Sequence, residues 1–130
     1  MASIFTKIIQ GEIPCYKIAE DDRFLAFLDI NPLAKGHTLV VPKVEIDYLF
    51  DLDEDLLGDM MKFSRKVARA IDSTMDCKRV GVAVLGLEVP HAHIHLCPIN
   101  DLYDIEFSRP KLKLQPEEFE NIAASIRAAL

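Results

Sequence analysis

The chain has 130 residues and a mass of 14.7 kDa, which fits one domain, since compact domains most often contain roughly 100–150 residues. Hydrophobic residues make up 50% and charged residues 28% of the chain, a balance that supports a buried core and excludes a disordered or collagen-like protein. Fifteen Lys and Arg residues stand against 21 Asp and Glu residues, for a net charge of −6. DNA and RNA are therefore not expected partners.

The N-terminal residues and the cysteines indicate a cytoplasmic protein. No basic segment leads into a long apolar stretch, and no window approaches the roughly 18 apolar residues of a membrane span, so we expect no membrane association. The cysteines are Cys15, Cys77 and Cys97. Their odd number and the lack of a CxxC pair predict reduced thiols rather than disulfides or a thiolate zinc site.

The N-terminal half predicts a short helix followed by strands. Residues 4–10 place apolar side chains on one helical face, and Gly11 ends that helix. The polar pair Asp21 and Asp22 is typical of a hairpin turn between two strands. The predicted strands of this half are residues 16–19, 24–28 and 38–42.

The second half predicts one long helix, two strands and a last helix. The long helix has apolar residues at spacings of three and four, which are Leu56, Leu57, Met60, Phe63, Val67 and Ile71. Residues 79–85 and 91–97 are predicted strands, and Pro116 suits the first position of a C-terminal helix. Residues 98–115 receive no assignment. Strands joined by short turns around one long helix favour an α+β fold with an antiparallel sheet.

Three of the four histidines alternate along the predicted strand 91–97. Because successive side chains of a strand point to opposite faces, His91, His93 and His95 share one face. Ala92, Ile94 and Leu96 take the other face. Three adjacent imidazoles cannot all be charged near pH 7, and a neutral imidazole serves as nucleophile, base or metal ligand. A hydrogen-bonded polar network without function and a zinc site built on His-x-His are the competing interpretations.

The segment His91-Ala92-His93-Ile94-His95-Leu96 resembles the signature of the histidine-triad (HIT) family of nucleotide hydrolases and transferases. The segments IFTKIIQGEIPCYKIAEDDRFLAFLDINP and KGHTLVVPK are similar to its Hint-like branch, and the resemblance covers residues 3 to about 99. It implies a HIT-like α+β fold with an antiparallel sheet of about five strands, one long helix, a short N-terminal helix and a C-terminal helix. It also implies a homodimer with the sheet continued across it, and a site for a purine nucleoside monophosphate.

The resemblance assigns roles to the polar residues one by one. His93 matches the nucleophile that forms a nucleotidyl-histidine, and His95 matches the histidine that contacts the phosphate. His91 would orient its neighbours, and His37 matches a histidine near the α-phosphate. Asp29 matches the acidic residue that accepts hydrogen bonds from the ribose hydroxyls.

The resemblance also implies an apolar slot for the base, at Phe5, Ile8, Phe27 and Ile30. Packing in the core is the competing interpretation for these four side chains. Gly86 corresponds to a glycine whose backbone approaches the phosphate, which the lack of a Cβ permits.

The stretch before the triad departs from the family. Two residues here, Glu88 and Val89, are expected nucleotide contacts, and Glu88 replaces the usual serine or threonine. A carboxylate at this position repels a phosphate unless it is protonated, turned away or paired with a cation. In an alignment without gaps, Val80 replaces an asparagine that contacts the nucleotide.

Some bacterial members hold a structural zinc, and the matching positions here are Ser3, Thr6 and Glu45. These residues are not the cysteines and histidine of that zinc site. We therefore expect no metal and no cofactor.

The sequence thus predicts one HIT domain over residues 1–130, with residues 101–130 as a C-terminal extension. Its polar residues, Asp101, Asp104, Glu106, Arg109, Lys111 and Lys113, could shape the entrance to the site, although a solvated surface is favoured. The leading hypothesis is a hydrolase of purine nucleoside 5′-phosphoramidates or related nucleotidyl linkages. The alternatives are a nucleotide-binding module with little turnover and a dinucleoside polyphosphate hydrolase.

Overall fold

The computed structural model describes residues 2–130, which form three α-helices and five strands. The helices are α1 (Ile4–Ile9), α2 (Glu54–Thr74) and α3 (Pro116–Ala128), and the strands are β1 (Lys17–Glu20), β2 (Phe24–Leu28), β3 (Thr38–Pro42), β4 (Arg79–Ala83) and β5 (Ile94–Ile99). Short 3₁₀ turns lie at Leu49–Asp51 and Leu102–Ile105. None of the helices in residues 2–130 combines the length and the apolar character that crossing a bilayer would require.

The strands form one antiparallel sheet in the order β1-β2-β3-β5-β4. This confirms the predicted α+β class, the five strands, the long helix and the helices at both ends. Strand β5 lies between β3 and β4, and its His95 is paired with Leu39 on one side and Ala83 on the other. The triad segment therefore enters an interior strand of the sheet, next to the edge strand β4.

The two faces of the sheet are covered differently. On one face, α2 and α3 pack against the sheet and form the larger core, which includes Phe24, Ala26, Val40, Ile94, Leu96, Met60, Ile71, Phe119 and Ile126. On the other face, α1 covers a smaller cluster of Phe5, Leu25, Phe27, Leu39 and Val41. Because α1 has only 6 residues, part of this second face remains uncovered and is available for a pocket.

The caps explain where the two long helices begin. The Asp53 carboxylate accepts the Leu56 N–H at 2.8 Å at the start of α2, which satisfies one of the free amides of the first turn. Helix α3 begins at Pro116 and has reciprocal contacts between Gln115 and Glu118. The buried side chains of α3 join the larger core, while the extent of the HIT domain within the chain stays a prediction.

The triad segment is less regular than predicted, because β5 begins at Ile94 and not at residue 91. The His91 N–H bonds to the Val89 carbonyl and the Ala92 N–H to the Ile46 carbonyl, so the backbone here is outside the ladder with β3. The alternation is nevertheless confirmed, since Ala92 belongs to the larger core while the Phe5 ring on the opposite face contacts His91.

Three other boundaries differ from the prediction. Strand β1 covers Lys17–Glu20 rather than residues 16–19, and β4 ends at Ala83 rather than at residue 85. The unassigned stretch 98–115 contains the end of β5 and the 3₁₀ turn at Leu102–Ile105.

The left-handed backbone conformation of Gly36, directly before His37, gives a testable prediction. Gly36 has φ 96°, and a Cβ there would lie 2.7 Å from the Met75 Cγ. We expect Gly36→Ala to lower the free energy of unfolding by about 1–2 kcal/mol, because a left-handed conformation is costly for alanine. Gly58→Ala is the matched control. That position lies in α2 with nothing near a new Cβ, so this change should stabilise by about 0.5–1 kcal/mol. Urea denaturation measures both, and equal effects would contradict the expectation.

Candidate active site

A cavity of about 470 Å³ opens on the face of the sheet that α1 partly covers, a size typical of small-molecule sites. It brings together the predicted site residues with one exception, since His91 does not line it. The predicted residues that line the cavity are Phe5, Ile8, Phe27, Asp29, Ile30, His37, Gly86, Glu88, Val89, His93 and His95. The structure therefore brings these residues to one cavity, and their functional roles stay predictions.

Hydrogen bonds to the backbone fix the protons of His37 and His95. The Leu33 N–H donates to His37 Nδ1 at 3.0 Å, so this nitrogen carries no proton and Nε2 of the neutral ring does. His37 Nε2 lies 3.0 Å from His95 Nδ1 and donates to it. The proton of His95 is consequently on Nε2, which leaves an N–H donor on a ring that lines the cavity.

His93 has the opposite arrangement, with an unprotonated Nε2. Its Nδ1 lies 2.7 Å from the His91 carbonyl oxygen, which can only accept, so Nδ1 of the neutral ring carries the proton. The ring lies edge-on to Phe5 and to His95, each at 5.0 Å between ring centroids. In its neutral form His93 therefore has its lone pair on Nε2, and its neighbour His95 has an N–H, in two rings that both line the cavity.

His91 is fully buried behind the cavity and supports His93. Its Nε2 lies 2.7 Å from the Pro42 carbonyl oxygen and therefore donates, which leaves Nδ1 as an acceptor for the Ser3 hydroxyl at 2.8 Å. Both ring nitrogens are used in these bonds. His91 therefore contributes to the site through its backbone carbonyl, and its position is consistent with the predicted orienting role.

Burial keeps His37 and His95 neutral near pH 7. It lowers the pKa of His37 to about 3 and that of His95 to about 4, with smaller contributions from His95 and Lys111 to the first shift and from His93 to the second. The pKa of His91 is also lowered by burial. His37 Nε2 lies 3.7 Å from the Asp29 carboxylate, and because the imidazole is neutral this contact is not an ion pair. Burial raises the pKa of Asp29.

Asp29, His37 and His95 are close enough to suggest a metal site, since one ligand atom from each lies within 4.8 Å of the others. A metal would require the lone pair of His37 Nε2. As long as the Leu33 N–H donates to Nδ1 of His37, Nε2 holds the ring proton and donates it to His95, so Nε2 has no free lone pair. The hydrogen bonding therefore does not fit a metal at this cluster, and the absence of a metal stays a prediction.

The loop between β4 and the triad forms one rim of the cavity. Gly86 has φ 72°, a conformation that L side chains rarely adopt, so this turn requires glycine. Glu88 is exposed at the rim, and Val89 packs against the smaller core. The Glu88 carboxylate raises the pKa of Asp29 slightly, so the two acidic groups act on each other across the cavity.

Two functional candidates come from the stretch that the sequence left unassigned. Phe107 lies edge-on to His95 at 4.7 Å and to His37 at 6.1 Å between ring centroids. Lys111 also lines the cavity, and its ammonium donates to the backbone carbonyls of Phe107 and Arg109. The expectation of a solvated surface is wrong for Lys111. No periodic pattern in residues 98–115 could have located either side chain.

The interpretation of Val80 is also wrong. Its side chain packs against the larger core under the helices, on the face of the sheet opposite to the cavity, because Val80 shares a face with Val82 and its partner Leu96. Val80 therefore replaces no ligand of the nucleotide. Of the remaining C-terminal residues, Arg109 pairs with Asp104 at 3.5 Å and stabilises the turn outside the cavity.

The neutral histidines make stability depend on pH. In the unfolded chain a histidine titrates near 6.5, and in the fold His37 and His95 do so near 3 and 4, so between pH 6.5 and 5 the unfolded state binds more protons. We expect the free energy of unfolding to fall with decreasing pH, by up to about 1.4 kcal/mol per unit for each histidine. Urea denaturation at pH 6.5, 6.0, 5.5 and 5.0 measures the slope. His37→Asn should reduce it, and an unchanged slope would contradict the assignment.

Comparison with known proteins agrees with this geometry. Residues 10–101 match the family model described as HIT domain. An adenosine 5′-monophosphoramidase of Schizosaccharomyces pombe is 33% identical over 132 residues, which cover 100% of this chain and 99% of that protein.

Two solved structures extend the likeness to the fold. A HIT-like protein of Bartonella henselae, described as involved in cell-cycle regulation, has a TM-score of 0.85 at 34% identity and covers 98% of this chain and 96% of its own. A zinc-bound histidine-triad protein of Mycobacterium smegmatis has a TM-score of 0.83 at 29% identity, over 99% and 93% of the two chains. With the family model matching most of its length and the triad histidines at the cavity and directly behind it, this chain belongs to the HIT family.

Proposed function

We propose that this HIT-family protein cleaves purine nucleoside 5′-phosphoramidates, or related nucleotidyl linkages, with His93 as the nucleophile. The observation that carries the proposal is the hydrogen bond from His93 Nδ1 to the His91 carbonyl at 2.7 Å, which leaves Nε2 with a lone pair in a ring that lines the cavity. The relative from Schizosaccharomyces pombe named as an adenosine 5′-monophosphoramidase supports the substrate class.

The proposed reaction has two substitutions at phosphorus. His93 Nε2 attacks the α-phosphorus, the bond to the leaving nitrogen breaks, and the leaving amine takes up one proton from solvent. Water then attacks the nucleotidyl-histidine, the bond between phosphorus and Nε2 breaks, and the water gives up one proton to solvent, which releases the nucleoside monophosphate and restores the neutral imidazole. A neutral imidazole suits both steps, because it attacks without prior deprotonation and makes one difficult substitution into two easier ones.

The other lining residues would hold the nucleotide for this attack. The His95 N–H donates to a phosphate oxygen, and His37 keeps that donor in place through its 3.0 Å bond to His95. The Asp29 carboxylate accepts from the ribose hydroxyls. The purine lies in the apolar slot lined by Phe5, Ile8, Phe27 and Ile30.

A second candidate function is a nucleotide-binding module with little turnover. The observation that favours it is Glu88, an exposed carboxylate at the rim of the cavity in place of a hydroxyl group. A carboxylate at this position opposes the approach of a phosphate and cannot donate a hydrogen bond to it. Dinucleoside polyphosphates carry more negative charge, so hydrolysis of those substrates receives the least support.

We expect His93→Ala to abolish turnover of an adenosine 5′-phosphoramidate with a fluorescent amine as leaving group. Binding of AMP should change by less than about tenfold, or roughly 1.4 kcal/mol, since the imidazole acts on phosphorus and contributes little to holding the nucleotide. Fluorescence release under single-turnover conditions and calorimetry with AMP measure the two quantities. Full activity in this variant would end the nucleophile assignment.

The same assay on Glu88→Ser separates the two candidate functions. We expect a severalfold faster single turnover, because the change removes a negative charge near the phosphate and adds a hydroxyl donor. A wild-type protein that binds AMP but shows no turnover would instead favour the binding module. An unchanged rate in Glu88→Ser would mean that Glu88 does not limit the reaction.

A homodimer and a cytoplasmic location form part of the same proposal. Strand β4 is an edge of the sheet, where unpaired backbone groups can pair with a second chain. Val82, Val84 and Leu85 expose 51%, 42% and 49% of their surface along or just after this strand, and Met61 of α2 exposes 51%. A second copy that pairs along β4 would cover these side chains and continue the sheet. The three cysteines are free, as in a reducing compartment.

We expect light scattering at micromolar concentration to give twice the chain mass of 14.7 kDa. Val82→Lys should produce the monomer, because a charged side chain on an edge strand opposes pairing. Leu130→Lys is the control, since Leu130 is similarly exposed at 54% but lies far along the chain from β4. A wild-type protein of single-chain mass would contradict the dimer.

A further inference from the structure

A cluster of polar side chains joins α1 to the end of β3 directly behind the triad, and the proposed reaction does not use it. Its members are Ser3, Thr6 and Glu45, which lie around the His91 ring. The Ser3 N–H donates to Glu45 Oε1 at 2.7 Å, and the Thr6 hydroxyl donates to the same oxygen at 2.6 Å. Glu45 therefore holds the first turn of α1 from outside, although it is itself exposed.

One arrangement of hydrogens satisfies the shortest contacts of this cluster, and the contacts from Ser3 Oγ to Thr6 Oγ1 at 3.3 Å and from Thr6 Oγ1 to His91 Nδ1 at 3.4 Å are longer. Thr6 donates its hydroxyl hydrogen to Glu45, since a carboxylate can only accept. The Ser3 hydroxyl accepts the Thr6 N–H at 3.0 Å and is 2.8 Å from His91 Nδ1. Because His91 Nε2 donates to the Pro42 carbonyl, Nδ1 is the acceptor. Ser3 thus caps α1 and donates to His91 with one hydroxyl group.

His91 connects this cluster to the nucleophile by two routes. The first is the His91 carbonyl, which accepts the Nδ1 proton of His93 at 2.7 Å. The second is α1 itself, whose Phe5 ring contacts the rings of His91 at 5.8 Å and His93 at 5.0 Å between centroids. A change in the tilt of α1 or of the His91 ring therefore reaches the proposed nucleophile.

Helix α1 is too short to keep a fixed tilt by its own stability. An isolated helix shorter than roughly 12 residues is marginal in water, and α1 has 6 residues. The position of α1 thus depends on tertiary contacts. Within the described residues, the polar tertiary contacts at its first turn are those that Ser3 and Thr6 make with Glu45 and His91. Phe5 supplies the apolar contact to the smaller core.

We propose that Ser3, Thr6 and Glu45 are positioning residues for the triad, which fix the orientation of the His91 ring and keep Phe5 against His93. The inference rests on the proposed function insofar as His93 is the nucleophile. Ser3 acts directly on His91, and Glu45 acts on it through Ser3 and Thr6. None of the three lines the cavity, so their effect should appear in the rate of attack rather than in nucleotide affinity.

The test combines histidine NMR with single-turnover kinetics. In the wild type, ring ¹⁵N spectra should show His91 protonated at Nε2 with Nδ1 hydrogen-bonded. Ser3→Ala should move the Nδ1 resonance toward that of a nitrogen without a donor, and should slow the single-turnover rate about tenfold, the order expected for losing one buried hydrogen bond. The dissociation constant for AMP should change by less than about threefold.

Glu45 gives a variant that does not endanger the fold, because its side chain is exposed. Glu45→Met removes both acceptor contacts and should slow the reaction severalfold, with a smaller change in the His91 resonances. Glu45→Gln keeps an acceptor oxygen for Ser3 and Thr6 and should restore most of the rate. Ser3→Thr, which keeps the hydroxyl and the cap, should likewise stay near the wild type.

Asp53→Ala is the matched control, since it removes the cap of α2 and leaves the triad contacts intact. It should lower stability without changing the His91 resonances or the rate. An unchanged His91 spectrum in Ser3→Ala, with a rate within twofold of the wild type, would overturn the proposal. An equal loss of rate in Asp53→Ala would assign the effect to general destabilisation. If no phosphoramidate is cleaved by the wild type, the proposed function fails while the NMR comparison still decides the inference.

Discussion

The chemistry of this site depends on which nitrogen of each buried imidazole carries the proton, and the backbone decides this. The Leu33 N–H can only donate, and the carbonyls of Pro42 and His91 can only accept. These three groups set the tautomers of His37, His91 and His93. His95 then follows from His37 by their mutual bond. The fold thus uses backbone groups to set which nitrogen of each ring is the donor and which is the acceptor.

This arrangement requires that His37 and His95 stay neutral, and burial favours their neutral form. A charged imidazole would carry a proton on both nitrogens, which would set one N–H against the Leu33 amide and remove the acceptor on His95. Desolvation is the largest cause of the lowered pKa values of His37 and His95. Aromatic side chains maintain this apolar environment, with Phe107 beside His95 and Phe5 beside His93. The same rings therefore exclude water and preserve the hydrogen-bond pattern.

The sequence predicted the parts of this site that follow from local periodicity. Alternation along residues 91–96 predicted that the histidines share one face, and the spacing of three and four predicted the long helix α2 and its apolar face. It did not predict that the strand begins at Ile94, because the bond from Ala92 to the Ile46 carbonyl joins residues distant in the chain. Val80 was misassigned for a related reason, since the face of a strand depends on its register with β5.

The contribution of residues 98–115 to the cavity could not be predicted from the sequence, for a different physical reason. Residues 98–115 contain one short 3₁₀ turn and otherwise irregular backbone, so no repeat places Phe107 or Lys111. Their positions come from single contacts, such as the bonds from the Lys111 ammonium to the carbonyls of Phe107 and Arg109. Contacts of this kind depend on the folded path of the chain and leave no pattern in composition.

The charges of the side chains that line the cavity limit which substrates it can bind. Among the lining residues within the described chain, Lys111 is the one permanently cationic side chain, while Asp29 and Glu88 contribute carboxyl groups and the lining histidines His37 and His95 are neutral at pH 7. A polyphosphate would meet more repulsion here than a singly charged phosphoramidate. An aliphatic amine released from phosphorus gains a further proton at pH 7, as a lysine side chain does, and the exposed Glu88 at the rim can pair with the ammonium ion. The substitution that departs from the family pattern is therefore compatible with turnover when the leaving group is cationic.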